Sequence, residues 1–200
     1  MKKHIVYICL LIFPAACNST MLDKAALYQK ELKAFYEDPA TTPLSEEEKK
    51  DFRGITFFPI NEKYKVEAIF TPVLNGEVVP FPTSANKVKR YKQYGTLKFT
   101  IDDQELLLTA YTPEPPLSDA PDYVFIPFRD ATSGKTSYGA GRYMELEKAD
   151  IVQGRVTLDF NMAYNPYCAY SEMYNCPIPP DDNTLTVPVE AGVSYEQSGH

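Results

Sequence analysis

In the segment Gly141 to Glu147, Arg142 alternates in phase with Met144 and Leu146, while Tyr143, Glu145 and Glu147 point the other way. In a strand this places an arginine on the apolar face. A buried guanidinium needs a counter-charge, and the local carboxylates are Asp130 and Asp159. Alternation turns Asp159 and Asn161 away from Val156, Leu158 and Phe160, which favours Asp130 as the partner. Two uses follow: an ion pair bracing two strands, or an arginine that binds an anion in a pocket.

The run Asp159 to Asn183 holds four tyrosines, two cysteines and four prolines. It is too irregular for a strand or helix and too rich in tyrosine for a linker, so it reads as an ordered loop, the usual carrier of recognition groups. Tyr138, Tyr143, Tyr164, Tyr167, Tyr170 and Tyr174 are either packing groups or an aromatic platform for a sugar ring or other planar ligand. Asn161, Asn165 and Asn183 suit a loop whose prolines leave carbonyls short of donors, and they are also candidate ligand contacts. Thr132-Ser133-Gly134-Lys135 has the look of a P-loop end without its upstream glycine or strand-to-helix setting. Ser133 and Lys135 read as a hairpin tip, against a nucleophile-and-base pair.

Several chemistries are excluded. The two histidines are His4 and His200, at the ends of the chain, which removes Ser-His-Asp and Cys-His hydrolysis and histidine-held zinc. No dinucleotide-binding or Walker glycine motif occurs, and no cofactor or metal is expected.

Residues 1–16 read as an export signal: Lys2 and Lys3, an apolar Ile5 to Phe13, then Ala15 and Ala16. Cys17 follows at once, as in the lipobox of bacterial lipoproteins, although Pro14 stands where that motif usually has an aliphatic residue. The expected organisation is a signal peptide at 1–16, a lipidated Cys17 and tether at 17–21, a helical region at 22–53, a β domain at 54–193 and a tail at 194–200. The location that follows is the bacterial cell envelope, periplasmic or surface-facing, with the membrane as a partner through the lipid anchor. Cys168 and Cys176 then remain as an even pair, read as one disulfide in an exported chain, since their spacing does not suit zinc. The formal net charge of −7 argues against nucleic acid, and the basic run Lys87, Lys89, Arg90, Lys92 reads as a solvated strand face.

Helical spacing from Leu22 to Glu37 ends at Asp38-Pro39, and Ser45 with Glu48 forms a capping box for a second, short helix. Alternation then marks strands at 64–71, 94–101 and 105–111, with Asp102-Asp103 as a hairpin turn. Further strands are expected at 55–58, 78–82, 87–92, 122–128, 137–147, 154–161 and 185–190. The predicted class is mostly β, an antiparallel sandwich or barrel-like sheet with two N-terminal helices packed against it.

The stretches PFRDATSGKTSYGAGRYMEL (127–146) and DFNMAYNPYCAYSEMYNCPIPPDDNTLTVPVEAG (159–192) resemble the bacterial domain of unknown function sixteen-eighty-four. The resemblance covers nearly the whole chain after the leader and implies a shared site without naming its chemistry. Its motif positions here are Asp130, Thr132, Ser133, Gly134, Tyr138, Gly141, Arg142, Tyr143, Asp159, Asn161, Tyr164, Asn165, Cys168, Tyr170, Cys176 and Asn183. The leading expectation is a lipid-anchored envelope protein that binds a small polar or anionic ligand, carbohydrate included, near Arg142 and the stapled loop. The alternatives are a histidine-independent hydrolase built on Asp130 and Asp159, and a structural or partner-binding envelope protein.

Overall fold

The structure, a computed structural model, describes residues 19–195, with side chains from Lys24 onward. The expected signal segment, Cys17 and the end of the expected tail lie outside the described residues. Helix α1 spans Ser19–Glu37, so it begins within the expected tether, and α2 spans Glu48–Asp51. Seven strands follow: β1 Lys65–Pro72, β2 Val78–Pro82, β3 Val88–Ile101, β4 Gln104–Pro113, β5 Tyr123–Phe128, β6 Arg142–Glu147 and β7 Arg155–Asp159. They form one curled antiparallel half-barrel in the order β6-β5-β4-β3-β1-β7, with β2 also paired to β3.

The alternation seen in sequence produces this sheet directly. Leu97, Phe99 and Ile101 of β3 and Leu106, Leu108 and Ala110 of β4 point into the concave core, together with Val124, Ile126, Val156 and Leu158. Ile101 pairs with Gln104 across Asp102 and Asp103, both at positive φ, which matches the right-handed twist of a tight hairpin. Two expected strands, 87–92 and 94–101, are one long strand interrupted by a bulge between Gln93 and Gly95. The capping box is present, since Ser45 N–H and hydroxyl both donate to Glu48 Oε2 at 2.8 Å and Glu48 N–H donates to Ser45 Oγ at 3.3 Å.

Other strand expectations are corrected. Residues 55–58 contribute a single bridge, Phe57 to Val193. The stretch 137–141 is a turn, because Gly141 adopts φ +101° and a Cβ there would sit 2.6 Å from the Phe128 carbonyl oxygen. β7 stops at Asp159, whose side chain caps a short 3-10 turn over Phe160–Met162. Residues 185–190 form no strand. That segment runs irregularly through the core, with Leu185, Val187, Val189 and Ala191 buried. The expected tail is not free at its start either: Ser194 N–H donates to the Thr56 carbonyl and Tyr195 N–H to that of Thr136.

The convex face of the sheet has its own aromatic stripe, Phe81, Tyr91, Tyr111, Phe125 and Tyr143. The loop after β7 lies across it, pinned to β6 by the paired backbone bonds of Tyr143 and Tyr164 and to the end of β2 by Ile178 N–H on the Pro82 carbonyl. A third cluster, Tyr36, Leu44, Ile55 and Val193, seats the helical region.

Candidate functional site

Arg142 is inward and paired with Asp130, as the alternation predicts, and the pair is sealed. Both side chains have no exposure, and Arg142 Nη2 donates to Asp130 Oδ2 at 2.8 Å. The same guanidinium donates to three carbonyls of the C-terminal segment: Val189 at 2.8 Å, Val193 at 3.3 Å, and Ala191. Asp130 Oδ1 accepts Val189 N–H at 3.1 Å and Thr132 N–H at 2.8 Å, while the Phe58 and Phe128 rings lie against the guanidinium. An irregular segment crossing a core has carbonyls with no ladder partners, and Arg142 supplies the missing donors. Burial pushes its pKa below the usual guanidinium range and Asp130 opposes that shift. The anion-binding role expected for Arg142 therefore gives way to a structural one.

The other expected polar residues divide in the same way. Asn183 Oδ1 accepts Thr109 N–H at 2.9 Å, and its amide donates to the carbonyls of Thr109 and Pro127, filling the gap where β4 and β5 share only the Tyr111–Phe125 pair. Asn161 exchanges bonds with the backbone of Asn61, and its amide donates to Asp159 Oδ1 at 2.9 Å. Asp159 thus serves a turn and Asp130 a sealed ion pair, so the two carboxylates share no cleft and the hydrolase reading loses its acid and base. Thr132 and Ser137 hydroxyls meet at 2.8 Å, and Ser133 Oγ accepts Asp130 N–H at 3.1 Å. The Thr132 carbonyl collects three backbone donors, which makes this segment a tight turn. Asn165 donates to the Tyr170 hydroxyl at 2.8 Å, and Tyr138 donates to the Cys168 carbonyl at 3.3 Å. Tyr170 packs edge-on against Tyr36 and Phe52.

What remains open lies between the aromatic stripe and the loop. Cys168 and Cys176 form a disulfide, with Cα atoms 6.1 Å apart, and a ring this small restrains the unfolded chain by about 2–3 kcal/mol. Ser84 locks it to the sheet: its N–H donates to the Cys176 carbonyl, and its hydroxyl accepts Cys176 N–H at 3.2 Å. The fixed loop leaves a groove of about 390 Å³ walled by Tyr91, Tyr123 and Tyr143 on the sheet side and Tyr167, Tyr174 and Asn175 on the loop side. Glu145 and Lys89 are its charged lining groups. Glu145 accepts the hydroxyls of Tyr123, at 2.8 Å, and of Tyr164. Asn175 Oδ1 is buried without a partner. Burial, followed by the Glu145 charge, raises the Tyr164 and Tyr123 phenols far above their ordinary range, so both remain donors.

Of the expected site residues, the groove brings together Tyr143, Tyr164, Tyr167 and Tyr174, with the staple at its edge, and leaves out Tyr138 and Tyr170. Glu145, Tyr123 and Lys89 were missed. Glu145 is in phase with Tyr143 on β6, so its outward direction was legible, but nothing local says that a loop folds over that face.

A solved structure with this fold is the solution NMR structure of an uncharacterized protein of Haloarcula marismortui. It is 36% identical, the match covers 88% of this chain and 95% of that one, and the TM-score is 0.69. No curated protein matches the chain. The family model described as "Protein of unknown function (DUF1684)" matches residues 50–194, which include the β domain, the sealed ion pair and the stapled loop. The chain belongs to the DUF1684 family.

Proposed function

We propose that this protein is a lipid-anchored component of the cell envelope whose β domain binds a small polar ligand, of the carbohydrate class, in the tyrosine groove beside the stapled loop. The observation that carries this reading is the groove's combination of aromatic walls with fixed polar groups. Tyr167 retains 38% of its exposure, and Glu145, Asn175 and Lys89 stand around it. A pyranose presents an apolar face for a ring to cover and hydroxyls that both donate and accept, which fits an aromatic wall beside a carboxylate, an amide and an ammonium. An inorganic anion would make little use of the rings, and an apolar ligand would leave the buried Asn175 Oδ1 without a donor.

The test is a titration of the protein with a panel of mono- and disaccharides, followed by thermal unfolding and by NMR of the tyrosine rings. A ligand of this class at a hundred times its Kd stabilises the fold by about 2.7 kcal/mol. Tyr167→Ala is expected to remove that stabilisation, because the partly exposed Tyr167 ring is the wall a sugar face would cover; unfolding of the ligand-free variant sets the baseline, since the ring also packs on Phe35 and Tyr36. If no saccharide shifts either readout, the groove is not a sugar site. The anchor is tested separately: labelled palmitate is expected in the wild-type chain and not in Cys17→Ser, and equal labelling of both would end the lipoprotein reading.

A further inference from the structure

The loop wall of the tyrosine groove is built beside the disulfide. Tyr167 precedes Cys168, and Tyr174 and Asn175 precede Cys176, so each of the three wall residues stands within two positions of a half-cystine. Cys176 itself lines the groove. Both half-cystines are half-buried, which leaves the bond within reach of a small thiol.

The wall has two arms with separate footings. Residues 167–170 rest on α1, the 137–141 turn and the tail: Tyr167 stacks on Phe35, the Tyr138 hydroxyl donates to the Cys168 carbonyl at 3.3 Å, and the Tyr195 hydroxyl donates to that of Ala169 at 3.0 Å. Residues 174–178 rest on the sheet, through Ser84, through Ile178 N–H on the Pro82 carbonyl and through the Tyr143 hydroxyl on the Pro177 carbonyl. They have one tie outward, the Tyr174 hydroxyl on the Pro43 carbonyl at 3.0 Å. Between the arms, among the described residues, the bonds are the disulfide and Cys168 N–H on Cys176 Sγ at 3.3 Å. The Tyr167 and Tyr174 rings, with centroids 4.9 Å apart, complete the join. A covalent joint thus fixes the spacing of wall residues whose other hydrogen bonds lead elsewhere.

The sulfurs are also prepared to separate. Ser84 Oγ–H donates to Cys168 Sγ at 3.0 Å, and Cys168 N–H donates to Cys176 Sγ. A donor on a sulfur stabilises the thiolate that forms when the bond breaks.

We infer that the Cys168–Cys176 bond is a thiol–disulfide exchange site that sets the width of the groove and is opened by a dithiol reductant. A thiolate of the dithiol attacks Cys176 Sγ from the groove, and Cys168 leaves as a thiolate under the Ser84 hydroxyl. The second thiol of the reductant attacks the mixed disulfide, Cys176 leaves, and the reductant departs as a disulfide. Two electrons pass to the protein, and its two thiolates take up the two protons that the dithiol loses. The freed arms then part. The fold stands, because a ring this small contributes only a fraction of a domain's stability. What the groove holds rests on the sugar-site reading; the opening does not.

The experiment treats the full chain with dithiothreitol in native buffer, maps free thiols by alkylation and mass spectrometry, and follows circular dichroism and ring-to-ring NMR contacts. Cys168 and Cys176 are expected to be alkylated without denaturant while circular dichroism is unchanged. The Tyr167–Tyr174 contact is expected to be lost, the Phe81–Tyr91 contact of the stripe, 4.8 Å between centroids, to be kept, and reoxidation to restore the first. Cys168→Ser/Cys176→Ser is expected to match the reduced chain and to ignore dithiothreitol. A saccharide that binds the oxidised chain is expected to bind the reduced one about tenfold more weakly, since it must order rings that the staple had fixed. Alkylation that needs denaturant, loss of circular dichroism on reduction, a Tyr167–Tyr174 contact that survives it, or equal saccharide affinity in both forms would each overturn the assignment. If no saccharide binds the oxidised chain, the sugar-site reading falls, and the ring contact still decides this one.

Discussion

Arg142→Met is expected to destabilise the protein by at least about 3–5 kcal/mol, the cost of leaving one member of a buried ion pair alone. The methionine keeps much of the stem volume, so the loss reports the donors and not a cavity. Three carbonyls, of Val189, Ala191 and Val193, lose their donor together with Asp130. Each buried polar group left unpaired costs about 1–3 kcal/mol, against a total stability for a domain of about 5–15 kcal/mol. The carbonyls also decide what a paired replacement does. A buried ion pair can often be exchanged for apolar side chains at little cost. Here Arg142→Met/Asp130→Leu is expected to stay well below wild type, because removing the carboxylate returns nothing to the three carbonyls. Urea denaturation checks both variants. A single variant within about 0.5 kcal/mol of wild type, the range of a neutral surface change, would mean that the segment 185–193 finds other donors.

That segment also shows where sequence reading stops. The inward arginine and its partner Asp130 were legible because a strand's period of two assigns each side chain to a face, and one charge in phase with Met144 and Leu146 stands out. The β3–β4 hairpin was legible for the same reason, with Asp102-Asp103 as the break. The role of Arg142 was not, because it depends on carbonyls about fifty residues downstream in a stretch whose apolar residues, Leu185, Val187 and Val189, alternate as a strand would. Tertiary context overrode that pattern: the segment crosses the half-barrel interior without joining a ladder, so side chains supply its hydrogen bonds. The open groove was half legible. The composition of 159–183 marked the loop, and the cysteine pair marked its staple. Which sheet face the loop covers is a long-range fact, and with it went Glu145, whose two phenol partners come from β5 and from the loop.

The density of buried phenols has a consequence for the whole fold at high pH. Burial is the first cause of every raised tyrosine here, and the Glu145 charge adds to it for Tyr91, Tyr123 and Tyr164. Tyr91 is pushed up to about 12, and Tyr143 and Tyr170 beyond their usual range as well. A phenol with a folded pKa above its unfolded value of about 10 holds more protons in the folded state over that interval, so stability falls as pH rises through it. Below pH 10 the contribution is fully present. Between pH 10 and 12 the share of the loss from Tyr91 is on the order of 2–3 kcal/mol. Tyr91 is 9% exposed, so solvent screening does little to reduce that figure. Several phenols of this kind lose together an amount comparable to a typical domain's stability, about 5–15 kcal/mol. The expected result is cooperative unfolding between about pH 10 and 12, with tyrosinate absorbance rising in the same transition as the loss of circular dichroism. Tyr91→Phe removes one ionisable group without its ring and is expected to move the midpoint upward. A gradual titration of the buried tyrosines near pH 10 in a chain that keeps its circular dichroism would show that these rings are open to water. The groove and the stripe beneath it would then be looser than their packing indicates.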